Sequence, residues 1–140
     1  MLKTGITLLI GIAMLMLGGC DSRQPDEPAK INTLKIIDIQ PPVSVPLKPG
    51  QKVDIEVKLA YVLASKAATV TLAVLRSEGF GSKSLTSTFA IVQQGKGELV
   101  LKEMFYVPKK VSVLQVRVPL IPQQRNDTSP TEIRTYKVVP

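Results

Sequence analysis

The sequence predicts an all-β domain, an antiparallel two-sheet β-sandwich of about seven strands. From residue 34 onward, short runs rich in Val, Ile, Thr and Tyr recur and end at Pro, Gly, Asn or Ser within about eight to twelve residues. After the first 20 residues, no apolar stripe with a helical period extends over more than two turns. We therefore place the folded domain at residues 32–140.

Proline and glycine divide the first part of the predicted domain. Residues 34–40 are expected to form the first strand, and the pair Pro41-Pro42 interrupts it because proline cannot donate to a sheet ladder. The strand is expected to resume near residues 43–47. Lys48-Pro49-Gly50 then predicts a turn.

The remaining strands are predicted by the alternation of apolar and polar residues. They lie at residues 51–63, 69–76, 85–92, 98–107, 111–121 and 131–139. A turn at Gly95-Lys96-Gly97 is expected to separate the third of these segments from the fourth. The residues expected to point into the core are Val53, Ile55, Val57, Leu59, Val70, Leu72, Val74, Leu85, Phe89, Ile91, Leu99, Leu101, Phe105, Leu114, Val116, Val118, Leu120 and Tyr136.

The composition excludes several kinds of chemistry. The chain has 140 residues, a formal net charge of +7, no His and a single Cys, Cys20. One Cys excludes a disulfide within the chain, and the absence of His removes the usual zinc sites and His-based catalytic triads. We therefore expect one domain with no metal and no cofactor.

Residues 1–19 predict a cleaved signal peptide. Lys3 is followed by the uncharged residues 4–19, which are mostly Leu, Ile, Met and Gly. A helix over this stretch reaches about 24 Å, short of the roughly 30 Å hydrocarbon core of a bilayer. A permanent transmembrane span is therefore the weaker interpretation.

The sequence Leu17-Gly18-Gly19-Cys20 resembles the lipobox of bacterial lipoproteins. The resemblance implies cleavage between Gly19 and Cys20 and attachment of acyl chains to Cys20, which would anchor the protein in a lipid bilayer. Two or more acyl chains give stable anchoring, whereas one gives only marginal binding. The alternative is that Cys20 is an incidental thiol near an ordinary signal peptidase site.

The residues after Cys20 predict in which membrane the protein is anchored. Asp21 resembles the sorting residue that retains lipoproteins of enteric bacteria in the inner membrane, which favours the inner membrane, facing the periplasm, over the outer membrane. Otherwise Asp21 only begins the polar linker. Residues 20–31 comprise the lipidated Cys and this linker, which has two prolines and mixed charge.

Two stretches resemble bacterial immunoglobulin-like and fibronectin-like domains. Residues 45–57 are similar to the turn into their second strand, and residues 131–138 are similar to their last strand. The paired Cys and core Trp of antibody domains are absent. The resemblance implies an immunoglobulin-like sandwich with a non-enzymatic role in binding, spacing or scaffolding.

Candidate catalytic groups are few. Asp54 and Glu56 share a strand face about 6 to 7 Å apart, near the spacing of some glycosidase carboxylate pairs, but such a pair is more often the solvated face of a strand. Ser65-Lys66 and Ser82-Lys83-Ser84 do not form the known Ser-x-x-Lys arrangement and are expected in loops. Phe80, between two glycines, either plugs one end of the domain or contacts a partner.

The domain is basic, with 15 Lys and Arg against 8 Asp and Glu in residues 31–140. An export signal and the lack of an aromatic stacking motif disfavour nucleic acid as a partner. The lysines serve solubility and edge protection, or they attract anionic envelope material such as headgroups, polymers or acidic proteins.

The sequence thus predicts a membrane-anchored periplasmic-side lipoprotein that acts as a non-enzymatic binding or assembly module, with its ligand unidentified. The alternative is a structural subunit of an envelope machine, such as a secretion, pilus or surface-polymer system, that docks by a sheet edge.

Overall fold

The protein is described by a computed structural model that covers residues 28–76 and 83–140. These residues form five β-strands and no helix, so the predicted all-β class is confirmed. None of them belongs to a helix that could cross a membrane. The strands are β1 (Thr33–Gln40), β2 (Lys52–Arg76), β3 (Lys83–Tyr106), β4 (Val113–Pro122) and β5 (Thr131–Lys137).

The strands form one antiparallel sheet that curls into a half-barrel around β2. One edge of β2 pairs with β3 along almost its whole length, from Lys52 opposite Tyr106 to Arg76 opposite Lys83. The other edge pairs first with β1 and then with β4, which in turn pairs with β5. The 25-residue strand β2 therefore organises the whole sheet.

The number of strands differs from the prediction of about seven. The expected breaks at Ser65-Lys66 and Gly95–Gly97 lie inside β2 and β3, because the ladder between these two strands runs up to Leu63 opposite Gly95 and resumes at Ala67 opposite Gln93. Its register shifts between Leu63 and Ala67, which makes an irregularity and not a turn. Glycine and small polar residues inside strands mark such irregularities as well as turns, and the sequence pattern alone does not separate the two cases.

The concave face of the curled sheet holds the core. Alternate residues of β2 and β4 on this face are buried, as their sequence patterns predict. The hydrophobic side chains with no exposed surface are Val57, Leu59, Val70, Leu72, Val74, Leu114, Val116, Val118, Leu120 and Tyr136. Burying apolar area on one side of each strand is the main favourable contribution to folding.

At the irregularity in β2, the side chain of Asn32 takes the place of a neighbouring strand. Its Oδ1 accepts hydrogen bonds from the backbone N–H groups of Ala64 (2.8 Å) and Ser65 (3.1 Å). Its Nδ2 donates to Ser65 Oγ at 2.9 Å and to the carbonyl of Thr128 at 3.0 Å. Asn32 and Ser65 are the buried polar residues of the described ranges, and these bonds satisfy both side chains.

The loop between β4 and β5 completes this polar cluster. Ser65 Oγ donates to Asp127 Oδ2 at 2.5 Å, and the backbone N–H of Lys30 donates to Asp127 Oδ1 at 3.0 Å. Thr128 Oγ1 accepts from the backbone N–H of Asn32 at 2.7 Å. The loop thereby fixes the position of Lys30, where the N-terminal segment joins the domain.

The opposite end of the sheet is closed by the segment between β1 and β2. Leu47 is buried and forms a parallel bridge with Val138, next to the end of β5. The fully buried Tyr136 donates its phenol proton to the carbonyl of Pro41 at 2.5 Å, and burial raises the pKa of this phenol above its usual range. The turn predicted at Lys48-Pro49-Gly50 is confirmed, with Gly50 at a φ of 82°.

We expect the polar cluster to make stability sensitive to acid. The hydrogen bonds from Ser65 and Lys30 hold the pKa of Asp127 below its usual value of 3.8. A carboxylate with a lowered pKa contributes stability that is present above the unfolded-state pKa and is lost as the pH falls through the folded-state value. Urea unfolding measured from pH 6 to pH 2 should therefore show that the free energy of unfolding falls less on acidification in Asp127→Asn than in the parent.

Asp54→Asn provides the control because Asp54 is an exposed strand residue outside the polar cluster. This variant should keep the acid dependence of the parent. An acid dependence in Asp127→Asn equal to that of the parent would contradict the assignment.

Candidate interaction surface

The outer edge of β3 is the longest sheet edge of the described residues. Within residues 28–76 and 83–140, β3 pairs only with β2, although β3 is 24 residues long. An edge strand presents a row of backbone N–H and C=O groups that can pair with another strand. Proteins usually protect such an edge with charged side chains, proline or irregularities.

The two halves of this edge differ in charge. Residues 96–103 contain Lys96, Glu98, Lys102 and Glu103, which protect the edge in the usual way. Residues 84–94 contain no Lys, Arg, Asp or Glu. We call this uncharged half, residues 84–94 of β3, the open edge.

The open edge also exposes large apolar side chains on the convex face of the sheet. Phe89 is 64% exposed and Ile91 is 62% exposed. They lie opposite Thr71 and Thr69 on β2, and Thr69 in turn lies opposite Ile121 on β4, which is 53% exposed. Ile91, Thr69 and Ile121 thus form a cross-strand row that adjoins the free edge.

The prediction that Phe89 and Ile91 point into the core is wrong. The ladder with β2 turns Thr86, Thr88, Ala90 and Val92 toward the concave face, since each lies opposite a buried residue of β2. Leu85 lies at a register shift of the same ladder, which breaks the simple alternation assumed from the sequence. Ala90 and Val92 are also apolar, so the sequence of this strand is compatible with either face pointing into the core. That ambiguity is the signal in the sequence that the orientation of Phe89 and Ile91 was open.

Asp54 and Glu56, the carboxylate pair considered for catalysis, lie on the convex face of β2. Both are exposed, and they lie opposite Met104 and Lys102 of β3. Glu56 Oε2 is 4.0 Å from Lys102 Nζ. This is the solvated strand face that the alternation predicts.

Ser65 and Lys66, one of the serine–lysine candidates, are not brought together as a nucleophile and base. Ser65 is fully buried with its hydroxyl on Asp127, whereas Lys66 is exposed. Ser84 is exposed and donates to the carbonyl of Thr86 at 3.3 Å. The described residues contain no group of three or more His, Cys, Asp or Glu placed to hold a metal ion.

Several residues that the sequence singles out lie outside the described ranges. They are Gly19 and Cys20 at the predicted cleavage and lipidation site, Asp21 at the predicted sorting position, and Phe80 and Ser82 between β2 and β3. A comparison of the chain with protein-family models gives no match, and a comparison with curated proteins gives none either.

Because the large apolar side chains of the open edge point outward, a substitution there should change stability less than a similar substitution in the core. Ile91→Thr should change the free energy of unfolding by less than about 0.5 kcal/mol, because the side chain is already mostly in water. Val70→Thr, at a position with no exposed surface, should lower it by about 1 to 3 kcal/mol because it buries a hydroxyl. Urea denaturation of the two variants measures the difference, and equal losses would contradict the observed orientation.

Proposed function

We propose that this chain is a bacterial lipoprotein anchored through acylated Cys20, with a non-enzymatic binding or assembly domain that docks onto another envelope protein. The open edge carries the docking part of this proposal. It combines an unpaired strand edge, the absence of charge over residues 84–94 and the exposed side chains of Phe89 and Ile91. A partner strand added there would gain main-chain hydrogen bonds, and its side chains would contact the apolar row.

The placement of the N-terminal segment is compatible with anchoring within reach of a membrane. Lys30 and Asn32 are fixed to the loop between β4 and β5, so the linker meets the domain at one point. An extended linker over residues 21–29 spans about 28 Å at roughly 3.1 Å per residue. Such a linker would hold the domain close to the membrane while leaving its edges accessible.

We further propose that the fold is an immunoglobulin-like sandwich, because β2 pairs with β1 in one half of the curled sheet and with β4 in the other, while β3 follows β2 through both halves. The protein faces the periplasm from the inner membrane, a location supported by the resemblance of Asp21 to a retention residue. An envelope machine is the alternative setting, and the 24-residue length of β3 favours it because a long edge can align with a strand of a neighbouring subunit.

The anchor is tested at Cys20. The parent should yield an N-terminal peptide that begins at Cys20 and carries acyl chains, and it should fractionate with membranes until detergent is added. Cys20→Ala should remain unprocessed or be released without acyl chains, because the thiol is the attachment point. A variant that is processed and fractionates like the parent would show that Cys20 is not the anchor.

The docking part is tested by photo-crosslinking in intact cells. A photoreactive residue in place of Ser87, which is exposed within the open edge, should capture one envelope protein. Ile91→Lys should abolish the capture because it places a charge beside the partner strand. Val100→Lys is the matched control, since Val100 is 44% exposed on the convex face of the charged half of β3.

The outcomes separate the rival interpretations. Capture in fixed stoichiometry with a large complex would support the envelope-machine setting, and capture of one partner in a small complex would support an independent module. Crosslinks between two copies of this chain would contradict a heterologous partner. Equal loss of capture in Ile91→Lys and Val100→Lys would contradict the open edge as the docking site.

A further inference from the structure

Five exposed lysines lie on segments that meet at the end of the sheet away from Asn32. They belong to three segments that are distant in sequence, residues 47–52, 106–112 and 136–139. We call this group the lysine end. Its members are Lys48, Lys52, Lys109, Lys110 and Lys137.

Backbone hydrogen bonds join the three segments directly. The N–H of Leu47 donates to the carbonyl of Lys137 at 2.9 Å, and the N–H of Val138 donates to the carbonyl of Ser112 at 2.8 Å. Gly50 N–H donates to the carbonyl of Val107 at 2.8 Å, and Val107 N–H donates to the carbonyl of Gln51 at 2.9 Å. The three segments that carry the lysines are therefore neighbours because of the fold and not because of their spacing in the sequence.

The lysine end contains no compensating charge within its own segments. None of the three segments includes an Asp or Glu, and none of the five lysines forms an ion pair with a carboxylate of the described residues. Elsewhere on the convex face, by contrast, Lys58 lies 3.6 Å from Glu98 and Lys102 lies 4.0 Å from Glu56. Like charges held together without partners create a local positive potential that attracts anions.

We propose that the lysine end binds a linear polyanion through its phosphate or carboxylate groups. Lysines on flexible stems act as point charges and suit a chain of repeated anionic groups, whereas protein interfaces are depleted in lysine. Binding at this end depends on several charges acting together, so it weakens steeply with salt.

The position of the lysine end favours a polymer over the anchoring membrane. Lys52 begins β2, and Ser65, beside the fixed position of Asn32, lies 13 residues further along the same strand. At roughly 3.3 Å per residue, the two ends of this strand segment are about 40 Å apart along the chain. If Cys20 anchors the protein as proposed above, the lysine end lies away from the point where the linker to the membrane joins the domain.

The test uses the mature protein in nanodiscs of neutral phosphatidylcholine, with inorganic polyphosphate as the probe. The parent should bind, with log affinity falling against log salt at a slope of about −3 if about four phosphates are neutralised. A variant with Lys48, Lys52, Lys109 and Lys110 changed to Gln should lose affinity by about tenfold or more.

The matched control changes the same number of exposed lysines elsewhere on the convex face, namely Lys35, Lys58, Lys96 and Lys102 to Gln. It should retain affinity within about threefold, since its net charge equals that of the first variant but the lysine end is intact. Equal losses in the two variants would overturn the proposal, because net charge alone would then explain binding. Failure of the parent to bind polyphosphate at low salt would overturn it as well.

Vesicles of phosphatidylcholine with phosphatidylglycerol distinguish the two sources of anionic groups. We expect them not to compete with polyphosphate. If the vesicles compete as strongly as polyphosphate itself, the proposal of a polymeric ligand is overturned and the lysine end binds a lipid surface instead. The measured affinity for polyphosphate does not depend on acylation. If Cys20 is found without acyl chains, the proposed anchor is wrong, but the result for the lysine end is unaffected.

Discussion

The side-chain amide of Asn32 holds the sheet together at the point where β2 changes partners. Before this point β2 pairs with β1, and after it β2 pairs with β4, so the backbone groups of Ala64 and Ser65 have neither strand beside them. Buried backbone groups without partners would cost about 1 to 3 kcal/mol each. The Asn32 carbonyl oxygen accepts both N–H groups, and its nitrogen reaches the carbonyl of Thr128 in the loop before β5. One short side chain thus allows a single strand to serve two halves of a curled sheet.

The sequence predicts those strands whose two faces differ in polarity. In β4 the inward residues are all fully buried, and the start of β2 alternates charged and apolar residues so clearly that its buried face is unambiguous. The prediction fails in β3, where Phe89 and Ile91 compete with Ala90 and Val92 for the same core, and only the register against β2 decides between them. The sequence also does not predict that β2 continues through Ser65. The hydrogen-bond partners of this buried serine lie 33 and 62 positions away, so no local pattern marks it as a strand residue. The grouping of the five lysines depends on tertiary hydrogen bonds and is likewise invisible in the sequence.

The surface of the domain is divided into regions with different chemistry. The fixed junction at Lys30, the open edge and the lysine end are formed by different residues of the sheet. The open edge offers directional backbone groups and apolar side chains, which favour a single well-fitted strand. The lysine end offers charge without directional geometry, which favours a repetitive polymer over a folded partner. The proposed anchor at Cys20 would keep the junction toward the membrane and leave the other two regions in the aqueous space.

The arrangement of contacts along the chain also determines the order in which they can form. The ladder between β2 and β3 includes Arg76 opposite Lys83, so it can begin by closing a short loop and extend from there. The contact between Asn32 and Thr128 joins residues 96 positions apart and requires nearly the whole domain. During synthesis Asn32 emerges among the first residues of the domain, and its partners Ala64 and Ser65 follow 32 and 33 residues later. Its remaining partner, Thr128, is made only with the loop before β5. The first part of the domain to be synthesised therefore gains its full set of hydrogen bonds only when the chain is nearly complete.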